Sequence, residues 1–309
     1  MANVAMIRYI VDRLKEANSQ EDKQIILQRY SNDNLFKRII HLTYNPLIIF
    51  GMDDYKLKED SSGIEGGMGI SKFMHIPEDL YHNKLTDKEA IFACNLVLGH
   101  INVEEVEIFI GMLKKDIGVG LEIETINNVW PNLIPGYPIM NAQEITDSLV
   151  EKFQWPAVAQ RLYTGKRINI ICRFDLIQFR APDGTSLTKE FEEYKNQFQT
   201  LAQNQGVVFD GSWEGDKFVL WDAVKYDGFI HAKDNRLGYN WRYNGIEHMV
   251  FLASSKNDNP CYMLPEQKMV NSLQDAYDAA TEISSDIVIK NMSGIWEHGS
   301  TNDQLIIRI

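Results

Sequence analysis

Residues 156–173 read PAVAQRLYTGKRINIICR. This stretch decides the fold. Ala157–Arg161 and Arg167–Arg173 have the length and apolar character of strands, and Thr164–Gly165 between them are turn residues. The pattern predicts a strand, a tight turn and a second strand. A glycine-centred turn followed at once by Lys166 and Arg167 is a place where a protein can present a nucleophile or a phosphate-binding cation. The residue at its head, Leu162, can do neither.

Downstream of the turn the strand pattern continues. DLIQFR, GVVFDG, KFVLWDAV, DIVIK and QLIIRI are interleaved with the helical stretches TKEFEEYKNQFQTLAQNQ and NSLQDAYDAATEI. That mixture predicts an α+β domain of antiparallel sheets flanked by helices. Upstream the period is helical. Val4, Ile7, Ile10, Val11 and Leu14 form one stripe, NDNLFKRIIHLTY offers Asn32 or Asp33 as an N-cap, and Thr86 with Glu89 forms a capping box. VEEVEIFIGMLKKDIG reads as a further helix with Lys114 and Lys115 in its last turn and Gly118 as its stop. GIEGGMGI (63–70) lacks a P-loop lysine and a preceding strand, and reads as a mobile loop. Pro131, Pro135 and Pro138 end the helical region, so an all-α domain over 1–140 and an α+β domain over 141–309 are predicted.

The net charge is −12. Residues 1–150 hold 14 Lys and Arg against 22 Asp and Glu, so the front half is the more acidic, which argues against tight sequence-independent DNA binding. No apolar run approaches the roughly 20 residues needed to span a bilayer, and residues 1–18 carry Arg8, Asp12, Arg13, Lys15 and Glu16, so a cytoplasmic protein without membrane contact is expected. Cys94, Cys172 and Cys261 form no ligand pair, and the seven histidines form no metal-binding frame; no metal site is expected.

NLFKRIIHLTY, NNVWPNLIP, WPAVAQ, FVLWDAV, RLGYNWRYNGIEHM and IVIKNMSGIWE fall in the order and at the places of similar segments in the ATP-dependent DNA ligases of the T-even phage type. The resemblance runs over nearly the whole chain. It implies a helical DNA-binding domain followed by a nucleotidyltransferase domain, with the C-terminal OB-fold of that family absent. In the family a lysine in K-x-D-G-x-R attacks ATP to form a lysyl-adenylate. Gly165 and Arg167 match that motif, but Leu162 stands for the lysine and Thr164 for the aspartate. Asp210-Gly211-Ser212 replaces the family's D-G-E, Ser285 aligns with the second metal-side glutamate, and Ile306-Ile307-Arg308 replaces K-x-K. Lys166 falls on the motif's variable position.

The resemblance therefore implies a pseudoenzyme, without catalytic residues or a required cofactor. Leu162 and Ile306, taken as facing positions, predict a former active site filled by apolar side chains. Arg167, Arg180, Lys290 and Arg308 match or replace cations of the family's site, with Tyr163 and Trp221 on nearby segments; core packing and ion pairs with Asp210 or Asp222 account for these residues equally simply. Three functions follow as expectations. The first is a phage-encoded interaction protein, acting on a host or phage protein as in counter-defence, with weak or no DNA binding. The second is a module binding a nucleotide such as ATP non-covalently, or a DNA end. The third is an active ligase using a displaced lysine.

Overall fold

The computed structural model describes residues 4–50, 63–82, 84–85, 87–173, 176–231, 236–256 and 259–309. The chain divides into two compact units, Met1–Gly136 and Tyr137–Ile309. In the first, the described residues form helices α1 (Val4–Glu16), α2 (Gln20–Arg29), α3 (Asn34–Tyr44), α4 (His75–Tyr81), α5 (Asp87–Leu98), α6 (Val106–Leu113) and α7 (Ile123–Val129). The stripe Ile7, Ile10, Val11 and Leu14 is buried in one core with Phe36, Ile39, Ile108 and Phe109. Asp33 is the cap of α3, its carboxylate accepting from the Phe36 N–H at 3.0 Å. Thr86, on which the capping box rests, lies outside the described residues.

Two expectations for this unit are corrected. The helix expected over VEEVEIFIGMLKKDIG opens as a 3-10 turn at Val103–Glu105 and stops at Leu113. Lys115 lies beyond it with φ of 65°, its ammonium donating to the carbonyls of Leu42 and Asn45 at 2.6 and 2.8 Å, contacts that draw the chain out of the helix. The loop expected to be mobile at 63–70 is pinned: Ile64 N–H donates to Ile101 O, Met68 N–H to His100 O, and Asn102 N–H to Met68 O, each at 2.9 Å. Gly67 serves close packing, since a Cβ on it would lie 2.8 Å from two backbone carbonyl oxygens, whereas Gly66 supplies a positive φ of 70°.

The second unit holds two five-stranded sheets, with strands β1 (Met140–Glu144), β2 (Ala157–Arg161), β3 (Lys166–Arg173), β4 (Leu176–Arg180), β5 (Val207–Trp213), β6 (Phe218–Lys225), β7 (Tyr262–Met263), β8 (Gln267–Val270), β9 (Ile287–Asn291) and β10 (Gly299–Ile307). One sheet runs β1-β10-β9-β2-β8 and the other β4-β3-β5-β6-β7. Its helices are α8 (Asp147–Val150), α9 (Lys195–Ala202), α10 (Tyr226–His231), α11 (Tyr239–Ser254) and α12 (Leu273–Ile283). The unit is α+β, but its sheets are mixed: β1 pairs parallel with β10, and β6 parallel with β7. Both parallel pairs join segments far apart in sequence, where no hairpin imposes antiparallel pairing.

The strands on either side of Thr164–Gly165 do not pair with each other. β2 belongs to the first sheet and β3 to the second, so residues 162–165 carry the chain from one sheet to the other. Leu162 N–H anchors the crossing by donating to Asp286 O at 2.8 Å. Gly165 is required there, because a Cβ would collide with the Trp213 carbonyl and the Glu214 carboxylate. Behind the second sheet, Phe179, Phe198, Phe209 and Phe218 are fully buried. Among the described residues no helix is long and apolar enough to cross a membrane.

Candidate functional site

The sheet-to-sheet crossing borders a cleft of about 230 Å³. β1 contributes Met140 and Asn141, the end of β2 Arg161, the crossing Leu162, Tyr163 and Gly165, and β3 Arg167. Trp221 comes from β6, Val288 and Lys290 from β9, and Gln304 and Ile306 from β10. Alternation along β9 and β10 sends Val288 and Lys290, and Gln304 and Ile306, to the same face.

The expectation of a filled site is overturned. Leu162 and Ile306 are only half-buried and border an open space. Their strands explain why: β10 and β2 flank β9 in the same sheet, and Ile306 pairs directly with Val288. Leu162, Val288 and Ile306 therefore lie along one apolar wall instead of facing each other across the cleft.

Three of the lining residues are cations, and none is a carboxylate. The guanidinium of Arg167 donates to both Asp210 oxygens, at 3.1 and 2.7 Å, to Asn141 Oδ1 at 2.9 Å and to Met140 O at 2.6 Å. Burial works against the Arg167 charge, and Asp210 more than offsets it, holding the group above its ordinary range. The same guanidinium lies 5.9 Å from the Trp221 ring centre, and that of Arg161 lies 6.0 Å from the Tyr163 ring.

Lys290 is treated differently. It is 2 % exposed, its amine donates to Trp221 O at 3.2 Å and lies 4.6 Å from the Tyr239 ring centre, and no carboxylate among the described residues pairs with it. Burial pulls this ammonium down to about 8; Asp222 and Asp210 oppose the fall, while Arg242 and Arg167 add to it. Asp222 is itself held by Arg242 through two bonds of 2.8 Å.

Several sequence candidates stand away from the cleft. Thr164 is exposed and does not line it. Lys166 bonds both oxygens of Glu190, at 2.8 and 2.6 Å, and lies over the Phe191 ring, outside the lining. Ser212 is buried and donates its hydroxyl to Glu214, which also accepts from the Gly165 N–H at 3.2 Å. Ser285 N–H donates to Ala280 O behind α12. Arg180 donates to Gln178 and to Gly184 O, and Arg308 is exposed, paired with Glu144 and Asp286 at 2.6 and 2.8 Å. Arg167, Lys290, Tyr163, Trp221, Leu162 and Ile306 are the candidates brought together.

Arg161, Asn141 and Gln304 join them without having been singled out in the sequence. Arg161 carried a signal, as the charged residue ending an apolar strand just before the crossing; Asn141 and Gln304 carried none. The arrangement offers positive charge, two ring faces and amide groups, without an acid to hold a divalent metal. It suits an anion bearing a planar ring.

No protein-family model matches the chain. The chain is 23 % identical to the DNA ligase of Enterobacteria phage T4, in a match covering 96 % of this chain and 74 % of the phage protein. The DNA ligase of Enterobacteria phage T6 matches with the same identity and coverage. Among solved structures, Pmar-Lig_PreS3 superposes with a TM-score of 0.51 at 18 % identity, covering 98 % of this chain and 78 % of that one. Pmar-Lig_Pre. gives 0.50 at the same identity and coverage. The chain is thus similar to phage DNA ligases along nearly its whole length, and the structural likeness extends across both units.

Proposed function

We infer that this is a DNA-ligase-like protein whose second unit binds a nucleotide non-covalently and does not form the lysyl-adenylate of a working ligase. One observation carries the reading: the cleft at the sheet-to-sheet crossing is open, and it assembles Arg161, Arg167 and Lys290 with Trp221 and Tyr163 and no carboxylate. Those groups match the phosphates and base of a nucleotide. Leu162 has no lone pair to attack phosphorus, Lys166 is tied to Glu190 outside the cleft, and the two serines Ser212 and Ser285 offer a metal no anionic oxygen. Calorimetric titration with ATP and ADP should show saturable binding. Incubation with radiolabelled ATP and Mg²⁺ should leave no label on the denatured protein. Absence of nucleotide binding, or a label that survives denaturation, would each overturn the corresponding half of the reading.

A second reading, a scaffold that contacts a host or phage protein in a counter-defence role, is favoured by the outer face of α11. Trp241 and Phe251 there are 71 % and 73 % exposed, while the opposite face buries Tyr239, Tyr243 and Ile246. A helix apolar on both sides has a surface suited to a partner. Trp241→Asp with Phe251→Asp should abolish capture of any such partner from infected cells and leave nucleotide binding intact.

A further inference from the structure

Lysines normally sit in water and stay charged, which hides the nitrogen lone pair; an amine becomes a nucleophile when its surroundings no longer favour the ammonium. The turn that would present a nucleophile in this chain presents Leu162, and the nearest lysine in sequence, Lys166, is ion-paired outside the cleft. The amine that does line the cleft is Lys290. Its partners are a carbonyl oxygen and a ring face, neither of which neutralises a full positive charge. Two guanidinium groups, Arg161 and Arg167, line the same space, as does the Trp221 ring.

We propose that Lys290 is a reactive amine and that the cleft captures aldehydes carrying a phosphate by forming a Schiff base with it, a property that rests on the anion-binding reading of the same cleft. The phosphate is held by Arg161 and Arg167, and an aromatic body packs on Trp221 or Tyr163. Deprotonated Lys290 Nζ attacks the aldehyde carbon. The C–N bond forms as the carbonyl π electrons pass to oxygen, and the resulting carbinolamine loses that oxygen as water, leaving a C=N bond. No oxidant or further reactant is needed. The depression of the Lys290 ammonium to about 8 supports this independently, since at pH 8 about half of this amine is neutral against under about 1 % of an ordinary lysine.

Pyridoxal 5′-phosphate is the probe. The full chain is incubated with it at pH 8, reduced with borohydride to fix the imine as a secondary amine, digested and mapped by mass spectrometry. Lys290 should be modified at least about tenfold faster than any exposed lysine, given its larger neutral fraction. Pyridoxal without the phosphate should modify it far more slowly. Modification spread over exposed lysines with Lys290 untouched, or equal rates for the two aldehydes, overturns the proposal. Because the mapping uses the native chain, it does not depend on a folded variant; Lys290→Arg, where it folds, should lose the label. ATP added as competitor separates the two readings. Lys290 labelled but not protected by ATP leaves the reactive amine standing and overturns nucleotide binding. ATP bound in calorimetry with Lys290 unlabelled does the reverse.

Discussion

Replacing Lys290 by methionine removes a charge that the fold holds at a cost, so the substitution should stabilise the protein at neutral pH. A fall of the ammonium from 10.5 to about 8 corresponds to about 3 kcal/mol at ~1.36 kcal/mol per pH unit. The direction of the pH effect follows from which state carries the charge. Below pH 8 the amine is charged both folded and unfolded, and the whole cost is present. Between about pH 8 and 10.5 the folded amine is neutral while the unfolded one is still charged, and the cost shrinks; above that range it is gone. Methionine keeps the length and volume of the stem but loses the contact with the Tyr239 ring, worth about 1 kcal/mol. The expected gain is therefore about 2 kcal/mol at pH 7, falling toward zero or slightly below by pH 10. Urea denaturation of both proteins at the two pH values measures it. A methionine variant less stable than the parent at pH 7, or a difference that does not change between pH 7 and 10, would refute the view of Lys290 as an uncompensated buried charge. Nucleotide affinity measured on the same samples should fall, because the stabilised variant has lost a phosphate partner.

Gly165→Ala should destabilise by about 1–3 kcal/mol in a thermal melt, because its Cβ meets the Trp213 backbone carbonyl, which no rotamer change can relieve. Glu105→Gln should raise the melting temperature at pH 8 and leave it nearly unchanged at pH 5: burial pushes this carboxyl up to about 7, the Ile70 N–H opposing, so folded Glu105 bears an unfavourable charge above pH 7 and is mostly neutral at pH 5. Leu162→Lys should cost less than about 1 kcal/mol, since the half-buried position borders an open cleft into which a lysine can extend. The same variant should remain free of covalent label after incubation with radiolabelled ATP, with Ser212, Ser285 and Ile306 unchanged.

What the sequence yielded depended on how local each signal was. Ala157–Arg161 and Leu273–Ile283 were legible because their apolar periods, two and 3.6, are properties of neighbouring residues. MNAQE at Met140–Glu144 is short and has one large apolar residue, too weak a pattern to read as a strand, and it becomes one by lying beside Gly299–Ile306, more than 150 residues away. The parallel pairings were missed for the same reason. At the site, the alignment of Leu162, Gly165 and Arg167 could be read from one short motif. That Leu162 and Ile306 share a wall could not, because it depends on β9 lying between β10 and β2. Nor could the difference between two cations: Arg167 meets Asp210, 43 positions away, across the β3–β5 pair, while Lys290 meets only a carbonyl and a ring.

That difference bears on what the cleft is for. Arg167 is held by the Asp210 carboxylate, the Asn141 amide oxygen and the Met140 carbonyl, and Asp210 is itself steadied by the Asn169 amide, so Arg167 is fixed in place whether or not the cleft is filled. Lys290 has no carboxylate bonded to it among the described residues, and the charges of Asp222 and Asp210 only partly offset its burial, so its ammonium is a persistent cost to the folded state. A phosphate seated directly against Lys290 would supply the missing charge, raise the affinity of the amine for its proton and return to the complex part of the energy lost in the empty protein, whereas one held away from it by Arg161 and Arg167 would leave the amine free to lose its proton. The apolar wall of Leu162, Val288 and Ile306 strengthens this coupling, because it lowers the local polarity in which an anion and Lys290 would meet. A lysine at position 162 would add a second, mobile ammonium and compete for the same anion. With leucine there, the positive charge of the cleft is concentrated on one buried amine and two guanidinium groups, an arrangement suited to holding a phosphate without reacting with it at the crossing.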